Sequence, residues 1–393
     1  MKTGWQQKRL SDVSTITYGY TESASIEAVG PKFLRITDIQ DDRVNWDDVP
    51  YCKIAPSDLP KYRLATNDIV FARTGATTGK SFLVIDPPDA VFASYLIRLR
   101  LLDKELLPEF VSAFFQSAGY WQSIKDGSSG SAQGGFNASK LGALTLPVPP
   151  LPEQHRIVAI LDAAFDGIAT AKANAEQNLQ NARALFESHL QEVFTGRGKG
   201  WVTRKVSEIA KHSLGKMLDK AKNKGEPQPY LRNLNVRWFE FDLSDLLEMP
   251  FLPTETGKYT AVKGDVLICE GGYPGRAAIW NEDYPIYFQK ALHRARFHEP
   301  EHNKWFVYFL YAQDKAGELK KHFNGAGIQH FTGEGLARFE VPLPPLPELR
   351  RAVEKFDALS AETQRLESLY RQKLAALDEL QKSLLHQAFS GAL

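Results

Sequence analysis

The sequence predicts an α+β protein in which two mixed, β-rich domains form a pseudo-twofold tandem repeat and are joined by two long antiparallel coiled-coil helices. Two observations predict this fold: motifs that recur about 195 residues apart, and two proline-free segments with coiled-coil spacing of apolar residues. A chain of 393 residues is long enough for several such units. The predicted order is a first domain over 1–150, a first helix over 151–196, a second domain over 197–345 and a second helix over 346–393.

Short motifs recur in the same order in both halves of the chain. The three clearest pairs are WQQKRLSDV at 5–13 with WVTRKVSEI at 201–209, DIVF at 68–71 with DVLI at 265–268, and PVPPLPEQHR at 147–156 with PLPPLPELRR at 342–351. Each copy of the second motif is followed by a Gly-rich loop. Because the order is shared, we expect the two halves to have one common fold.

The two domains are predicted to consist mainly of short strands. Runs of β-branched, aromatic and other apolar residues bounded by turn residues favour strands, and longer runs with helical spacing favour helices. In the first domain the predicted strands are 33–39, 68–72, 81–85 and 95–101, and the predicted helix is 108–122. In the second domain the predicted strands are 265–269 and 292–297, and the predicted helix is 304–323.

Each Pro-rich motif leads into a long segment in which apolar residues are spaced alternately four and three apart. This spacing is typical of a coiled-coil seam, and a long helix with one apolar stripe needs a partner, so we expect the two helices to pair. The predicted seam residues are Ile157, Leu161, Ile168 and Leu185 in the first helix and Phe356, Leu359, Leu366, Leu377, Leu380 and Leu384 in the second. Four aromatic residues are expected to lie outside the seam and to stay exposed, namely Phe165, Phe186, Phe194 and Phe389.

The charge balance gives no indication of nucleic-acid binding. Lys and Arg number 48 against 47 Asp and Glu, and the balance is 16 against 16 over 1–152 and 20 against 18 over 201–347. Any role on DNA must therefore rest on other evidence. Two cysteines are too few for a disulfide scaffold or a Cys-built zinc site, and no apolar run is long enough to span a membrane. With no secretory signal at the start, we expect a cytoplasmic protein.

Several motifs resemble catalytic sites but lack essential parts. The loop GATTGKS at 75–81 is one residue shorter than a nucleotide-binding P-loop, and its repeat at 272–277 lacks both Lys and hydroxyl. The run HEPEH at 298–302 has the spacing of a zinc protease, but Pro300 disrupts the helix that such a site needs. We therefore expect no catalytic residues, no metal and no cofactor. The Gly-rich loops are interpreted as tight turns, with a phosphate contact by Lys80 or Arg276 as the alternative.

Taken together, the repeated Trp motif, the Gly-rich loops and the twofold PPLPE entry into long helices resemble the specificity (S) subunits of type I restriction-modification systems. The resemblance covers essentially the whole chain. It implies that each domain is a target recognition domain that reads one half of an asymmetric bipartite site in double-stranded DNA. It also implies that the helices set the distance between the halves and dock two methyltransferase (M) subunits, with motor-nuclease (R) subunits joining for cleavage.

Candidate DNA-contacting residues lie near the shared loops, because base readout needs only a few well-placed side chains. They are Arg73, Thr74, Thr77, Lys80, Gln133 and Asn137 in the first domain, and Tyr273, Arg276, Gln329 and His330 in the second. Weaker candidates are Tyr18, Tyr20, Lys216 and Lys220. Arg35 and Arg232 occupy equivalent positions and are equally consistent with structural ion pairs.

Three alternatives remain open at this point. The chain could be a structural or adaptor protein whose two domains on a coiled-coil rod bind other proteins. It could be an enzyme that uses the Gly-rich loops, although no catalytic residues are repeated. It could also be an S-like reader that serves another defence system.

Overall fold

The computed structural model describes residues 4–40, 43–128, 136–219, 221, 223–325 and 327–393. It consists of two compact units. The first unit comprises Met1–Ala175 with Gln372–Leu393, and the second comprises Glu176–Arg371. Each unit therefore contains one β-rich domain and a segment of both long helices.

The first unit begins with ten short strands and five short helices. The strands are β1 (Gln6–Arg9), β2 (Ser14–Tyr18), β3 (Lys32–Leu34), β4 (Ile39–Gln40), β5 (Arg43–Val44), β6 (Ile69–Ala72), β7 (Ser81–Leu83), β8 (Ala90–Phe92), β9 (Leu96–Leu101) and β10 (Thr145–Val148). The helices are α1 (Leu10–Val13), α2 (Leu59–Tyr62), α3 (Pro108–Phe114), α4 (Ala118–Ser128) and α5 (Ala138–Ala143), followed by the long helix α6 (Leu151–Thr195).

The second unit repeats this order. Its strands are β11 (Val202–Lys205), β12 (Ala210–Leu214), β13 (Glu226–Leu231), β14 (Leu247–Phe251), β15 (Thr260–Ala261), β16 (Val266–Cys269), β17 (Ala277–Ile279), β18 (Ile286–Phe288), β19 (Leu292–Phe297) and β20 (Glu340–Leu343). Its helices are α7 (Val206–Ile209), α8 (Thr256–Tyr259), α9 (His302–Lys315) and α10 (Gly333–Arg338), followed by the second long helix α11 (Leu346–Ser390).

The strand pairings of the two units correspond. An antiparallel sheet with the order β2-β9-β6-β7 in the first unit matches β12-β19-β16-β17 in the second. The parallel pair β3-β8 matches β13-β18, and the antiparallel pair β1-β10 matches β11-β20. The units differ where the sequences could not be aligned, because β14 and β15 extend the second unit's parallel pair, whereas the first unit has the hairpin β4-β5. This confirms the predicted tandem repeat of mixed domains.

Two buried features recur at equivalent positions and explain part of the shared sequence. Arg100 makes a bidentate ion pair with the buried Asp68, and Arg296 makes the same pair with Asp265. Gly19 also has a counterpart: a Cβ there would lie 2.1 Å from the carbonyl oxygen of Ala93, and one at Gly215 would lie 2.2 Å from that of Gln289. Only glycine permits so close an approach of two backbone segments.

The long helices pair antiparallel within each unit. In the first unit Lys172 forms an ion pair with Asp378 at 2.6 Å, and Arg156 donates to the carbonyl of Leu393 at 2.6 Å. In the second unit Arg183 forms an ion pair with Glu367 at 2.6 Å. Residues later in α6 thus meet residues earlier in α11, as predicted. Within the described ranges, none of the helices combines the length and apolarity that a membrane span needs.

Burial along the helices corrects the predicted seam at two positions. Ile157, Leu161, Ile168 and Phe356 are buried, and Leu359, Leu366, Leu377 and Leu384 are half-buried. Leu185 and Leu380, however, are 66% and 48% exposed. Towards its C-terminus α6 buries Ala182, Phe186, Leu190 and Phe194, at a constant spacing of four. The spacing changes because this part of α6 packs on aromatic residues of the second unit's domain as well as on α11.

The prediction that four phenylalanines stay exposed was wrong. Phe186 and Phe194 are buried in the core of the second unit, with the ring of Phe194 centred 4.8 Å from that of Trp305. In the first unit Phe389 packs against α3 in the same way, and Phe165 is half-buried. The aromatic residues are therefore the contacts by which each domain holds the end of a long helix.

Several predicted elements are shorter in the structure, among them the strand 81–85, which ends at Leu83. The strand 33–39 ends at Leu34 and continues as a 3-10 turn, in which Arg35 pairs with Asp38. The helix 108–122 is interrupted before α4, where the hydroxyl of the buried Ser117 accepts from the backbone N–H of Tyr120. The helix 304–323 ends at Lys315, because Gly317 turns the chain with a φ of 74°.

Candidate nucleic-acid interface

Each unit has a hairpin loop between the strand that contains its DIVF or DVLI motif and the next strand of the same sheet. Hairpin loop 1 (residues 73–80) joins β6 to β7, and hairpin loop 2 (residues 270–276) joins β16 to β17. Each loop contains two glycines with positive φ, at Gly75 and Gly79 and at Gly272 and Gly275. The loops lead into strands, whereas a P-loop leads into a helix. They are therefore tight turns, as the sequence predicted.

The two loops have corresponding backbone hydrogen bonds. The N–H of Ala72 donates to Lys80 at 2.8 Å, and the N–H of Cys269 donates to Arg276 at 2.8 Å. These bonds make Lys80 and Arg276 equivalent, at the end of each loop. Further bonds make Arg73 and Glu270 equivalent. The N–H of Arg73 donates to the carbonyl of Tyr95 just before β9, and the N–H of Glu270 donates to the carbonyl of Ala291 just before β19. The carbonyls of Arg73 and Glu270 each accept from a phenylalanine N–H.

Those phenylalanines belong to cap segment 1 (residues 136–137) and cap segment 2 (residues 331–332), which precede α5 and α10. Phe136 donates to the carbonyl of Arg73 at 2.9 Å, and Phe331 donates to that of Glu270 at 2.7 Å. Asn137 and Thr332 then cap the two helices with their side-chain oxygens. The predicted DNA-contacting residue Asn137 thus lies beside hairpin loop 1, with its side-chain oxygen engaged in the helix cap.

In the first unit the guanidinium of Arg73 lies over the ring of Tyr18, 5.0 Å from its centre. The hydroxyl of Tyr18 accepts from the backbone N–H of Ala138 at 3.0 Å, which orients the ring. The Nε of Arg73 is buried without a hydrogen-bond partner. Tyr18, Arg73 and cap segment 1 therefore form one cluster, although they are far apart in sequence.

In the second unit the guanidinium of Arg276 lies over the ring of Tyr273, 4.0 Å from its centre. Its Nη2 donates to the carbonyl of Asn233 at 3.0 Å, and its Nε is buried without a partner. The Asn233 side chain donates to the carbonyl of Gly271 at 3.1 Å and so holds the loop. Tyr273 is 56% exposed and Arg276 is half-buried, so the pair lies at the protein surface.

These two arginines differ from most others in the two domains. The ion-paired arginines are Arg35 with Asp38, Arg63 with Asp89, Arg100 with Asp68, Arg204 with Glu208, Arg232 with Asp245, Arg237 with Asp242, Arg296 with Asp265 and Arg338 with Glu334. Arg73 and Arg276 have no carboxylate partner in the described part of the chain. Their positive charge is therefore available to a ligand.

Burial keeps the other ionisable groups beneath hairpin loop 2 neutral. Desolvation raises the pKa of the Cys269 thiol to about 11, against the opposing charge of Arg276. Desolvation also lowers the pKa of His293 to about 4, although its ring nitrogen Nε2 donates to the carbonyl of Phe331 at 2.9 Å. The charged side chains of hairpin loop 2 itself are Glu270 and Arg276.

The remaining candidates are distributed unevenly. Thr77 and Lys80 line a cavity of about 190 Å³ together with Thr37, Gln40 and Ser81. Beside the loops, Thr74 is half-buried, Gln329 is exposed and His330 is half-buried, with its Nδ1 against Gly271. Gln133 and Lys220 lie outside the described residues.

Lys216 is a candidate that the structure removes from any open surface. Its ammonium group is buried, donates to the carbonyl of Pro250 at 2.8 Å and pairs with Glu255 at 2.6 Å. Tyr20, at the equivalent position in the first unit, packs against the ring of Tyr62. Asn233 was not among the predicted residues, because its role depends on a fold that brings residue 233 to the loop. Its position directly after the repeated Leu-Arg pair was the one indication in the sequence.

Comparison with known proteins identifies the family. The family model described as type I restriction modification DNA specificity domain matches the chain twice, over residues 2–181 and 198–375. The chain belongs to this family. Each match contains one of the two hairpin loops, so each β-rich domain belongs to a separate specificity domain.

Relatives with the same two-domain organisation span almost the whole chain. The specificity subunit of the type I restriction enzyme EcoKI from Escherichia coli K12 is 24% identical, over 99% of this chain and 89% of its own length. The StySPI specificity subunit from Salmonella potsdam is 22% identical, also over 99% of this chain and 89% of its own length. The chain is therefore a type I specificity subunit, a DNA-recognition subunit without catalysis of its own.

Two solved structures have the same fold. A chain from a study of complex assembly and conformational transition of the type I R-M system superposes with a TM-score of 0.80, at 20% identity, over 100% of this chain and 99% of its own. The HsdS subunit from Thermoanaerobacter tengcongensis superposes with a TM-score of 0.63, also at 20% identity, over 100% and 98%.

Proposed function

We propose that this specificity subunit reads an asymmetric bipartite site in double-stranded DNA, with the domain at 1–150 reading one half-site and the domain at 197–345 reading the other. The observation that carries the proposal is that one hairpin scaffold presents different side chains in the two units. Hairpin loop 1 offers Arg73, Thr74, Thr77 and Lys80, whereas hairpin loop 2 offers Tyr273 and Arg276. The same scaffold with different side chains favours two different half-site sequences.

The DNA contacts are assigned to the two hairpin loops and the segments beside them. The first set is Tyr18, Arg73, Thr74, Thr77, Lys80 and Asn137, and the second is Tyr273, Arg276, Gln329 and His330. Gln133 belongs to the first set by its sequence position. Since neither domain is markedly basic, electrostatic attraction to phosphate is weak, and tight binding depends on partner subunits that contribute further contacts.

Docking of two M subunits is supported by a pair of exposed leucines. Leu185 on α6 and Leu380 on α11 lie 195 residues apart, the spacing of the repeat, and both are exposed. Leu185 belongs to the second unit and Leu380 to the first. An exposed leucine at one equivalent position in both units provides the same surface feature twice, as two copies of a single kind of partner require. R subunits would join through this complex.

The test is to co-express the chain with its cognate M subunit and to map methylated bases across a host genome with and without the gene. We expect a motif with two unlike specified halves and a gap of constant length. A variant with Tyr273→Ala and Arg276→Ala loses the side chains that hairpin loop 2 offers and should lose specified bases in the second half-site alone, with Arg338→Ala as the matched control. A contiguous motif, or no sequence-specific methylation, would contradict the proposal.

A further inference from the structure

We propose that Arg73 and Arg276 are the specificity-determining residues for guanine, one in each half-site. Arg73 reads it from the start of hairpin loop 1, whereas Arg276 reads it from the end of the equivalent hairpin loop 2. The inference rests on the proposed function, and it adds the identity of a base in each half-site. Its starting point is that each guanidinium is stacked on a tyrosine and has no carboxylate partner in the described part of the chain.

The orientation of both guanidinium groups suits a base edge. In each arginine Nε is buried against the protein, so the terminal amino groups form the edge that can meet a ligand. Arg276 is held further by the bond from its Nη2 to the carbonyl of Asn233 and by a side-chain hydrogen bond with Cys269. Two parallel N–H donors match the O6 and N7 acceptors of guanine in the major groove, a pattern that no other base presents there.

The stacking favours a base over a backbone phosphate. A phosphate contact requires mainly charge, and the exposed Lys80 at the end of hairpin loop 1 supplies that without a fixed plane. A guanine contact requires the plane of the guanidinium to be set before binding. The rings of Tyr18 and Tyr273 provide this, and Tyr18 is itself oriented by its bond from Ala138.

The two arginines are not equivalent in the repeat. Backbone hydrogen bonds align Arg73 with Glu270 at the start of the loop, and Lys80 with Arg276 at its end. The guanine should therefore lie at a different position relative to the scaffold in each half-site. This provides one physical source of asymmetry in a target that is read by two copies of one fold.

The experiment uses the assembled complex with M subunits and the motif determined by methylation mapping. Duplexes changed at one base pair at a time compete for binding to wild type, Arg73→Ala, Arg73→Lys, Arg276→Ala and Arg276→Lys. Matched controls are Arg63→Ala and Arg338→Ala, which remove ion-paired surface arginines of the same domains. Each variant must keep the wild-type melting temperature and its assembly with M.

We expect Arg73→Ala to reduce discrimination about 10- to 100-fold at one guanine of the first half-site and to leave the second half-site unchanged. Arg276→Ala should do the converse, and neither Lys variant should restore discrimination, because lysine lacks the paired donors. A wild-type half-site without a specified G·C pair would overturn the inference. So would a uniform loss of affinity that Lys restores, with a shallower salt dependence, since that marks a phosphate contact. Failure of the wild-type complex to recognise a bipartite motif would instead refute the proposed function.

Discussion

His293 contributes to a difference between the two units in their response to pH. It lies in β19 of the second unit, is 1% exposed and donates to the carbonyl of Phe331 in cap segment 2. The equivalent residue of the first unit is Ile97, which cannot titrate. Because desolvation lowers the pKa of His293 to about 4, the folded second unit holds this ring neutral under conditions where the unfolded chain would protonate it.

The stability of the second unit should therefore fall as pH is lowered. Unfolded His293 binds a proton below about pH 6.5, whereas the folded ring does so only near pH 4. The free energy of unfolding is therefore highest above about pH 6.5. It falls by up to about 3 kcal/mol as the pH is lowered from 6.5 to 4. His293→Gln keeps a donor for Phe331 and should show a smaller loss. Urea unfolding of both proteins at pH 7 and pH 5 measures the difference.

The matched control for this prediction is His298→Gln, which changes an exposed histidine one residue beyond the same strand. It should unfold with the pH dependence of the wild type. Equal pH dependence in wild type and His293→Gln would show that His293 is not the titrating group.

At the scale of elements, the long helices have two different surfaces. One surface faces the domain and the opposing helix and holds residues such as Phe186 and Phe356. The other is polar except at a few positions, among which Leu185 and Leu380 are related by the repeat. Sequence spacing alone placed both leucines in the seam, so their exposure identifies a surface that the coiled-coil pattern concealed.

Replacing Leu185 or Leu380 by Asp should weaken M binding without unfolding the chain, because both side chains are exposed and contribute little to the core. We expect each single variant to lose one of two bound M subunits and the double variant to lose both. Native mass spectrometry of co-expressed complexes gives the stoichiometry. The control is Leu369→Asp, an exposed leucine of α11 whose counterpart in the repeat is Asn174. Unchanged assembly of the double variant would exclude this surface as the docking site.

At the scale of the whole molecule, both long helices contribute to both units, since α6 passes from the first to the second after Ala175 and α11 returns after Arg371. Two antiparallel helices, α6 and α11, therefore run between the two units. Helical connections are stiff and have a defined rise of about 1.5 Å per residue. Their length is a candidate determinant of the gap between the half-sites.

Inserting seven helix-forming residues after Ala175 and seven after Arg371 should widen the gap by one to three base pairs and leave the bases of both half-sites unchanged. Seven residues preserve the heptad phase, and equal insertions keep pairs such as Lys172–Asp378 and Arg183–Glu367 intact. Methylation mapping of the double-insertion variant measures the gap. Insertion in α6 alone is the control and should abolish methylation, because the helices can no longer pair in both units. An active double-insertion variant with the parental gap would contradict the prediction.

Particular residues show how far each inference could be made from sequence. Asp68 with Arg100 and Asp265 with Arg296 could be recognised as a repeated pair, because both members recur in order in the chain. The pairing of Arg73 with Tyr18 could not be recognised, since 55 positions separate them and they come together only because β2 and β6 both pair with β9. The ion pair of Lys216 with Glu255 also joins residues that are distant in sequence and could not be recognised. Lys216 was therefore predicted to be available to DNA, whereas the structure buries it.

The sequence by itself determined the tandem repeat, the order of domains and helices, the antiparallel pairing and the family, because these depend on motif order and on local periodicity. Only the tertiary structure decided which arginines are free, which helix leucines face outward and where the second unit buries a histidine. Those properties depend on which side chains meet across distant segments. Ion pairing and desolvation arise from such contacts, and they determine whether a charged group is available to DNA.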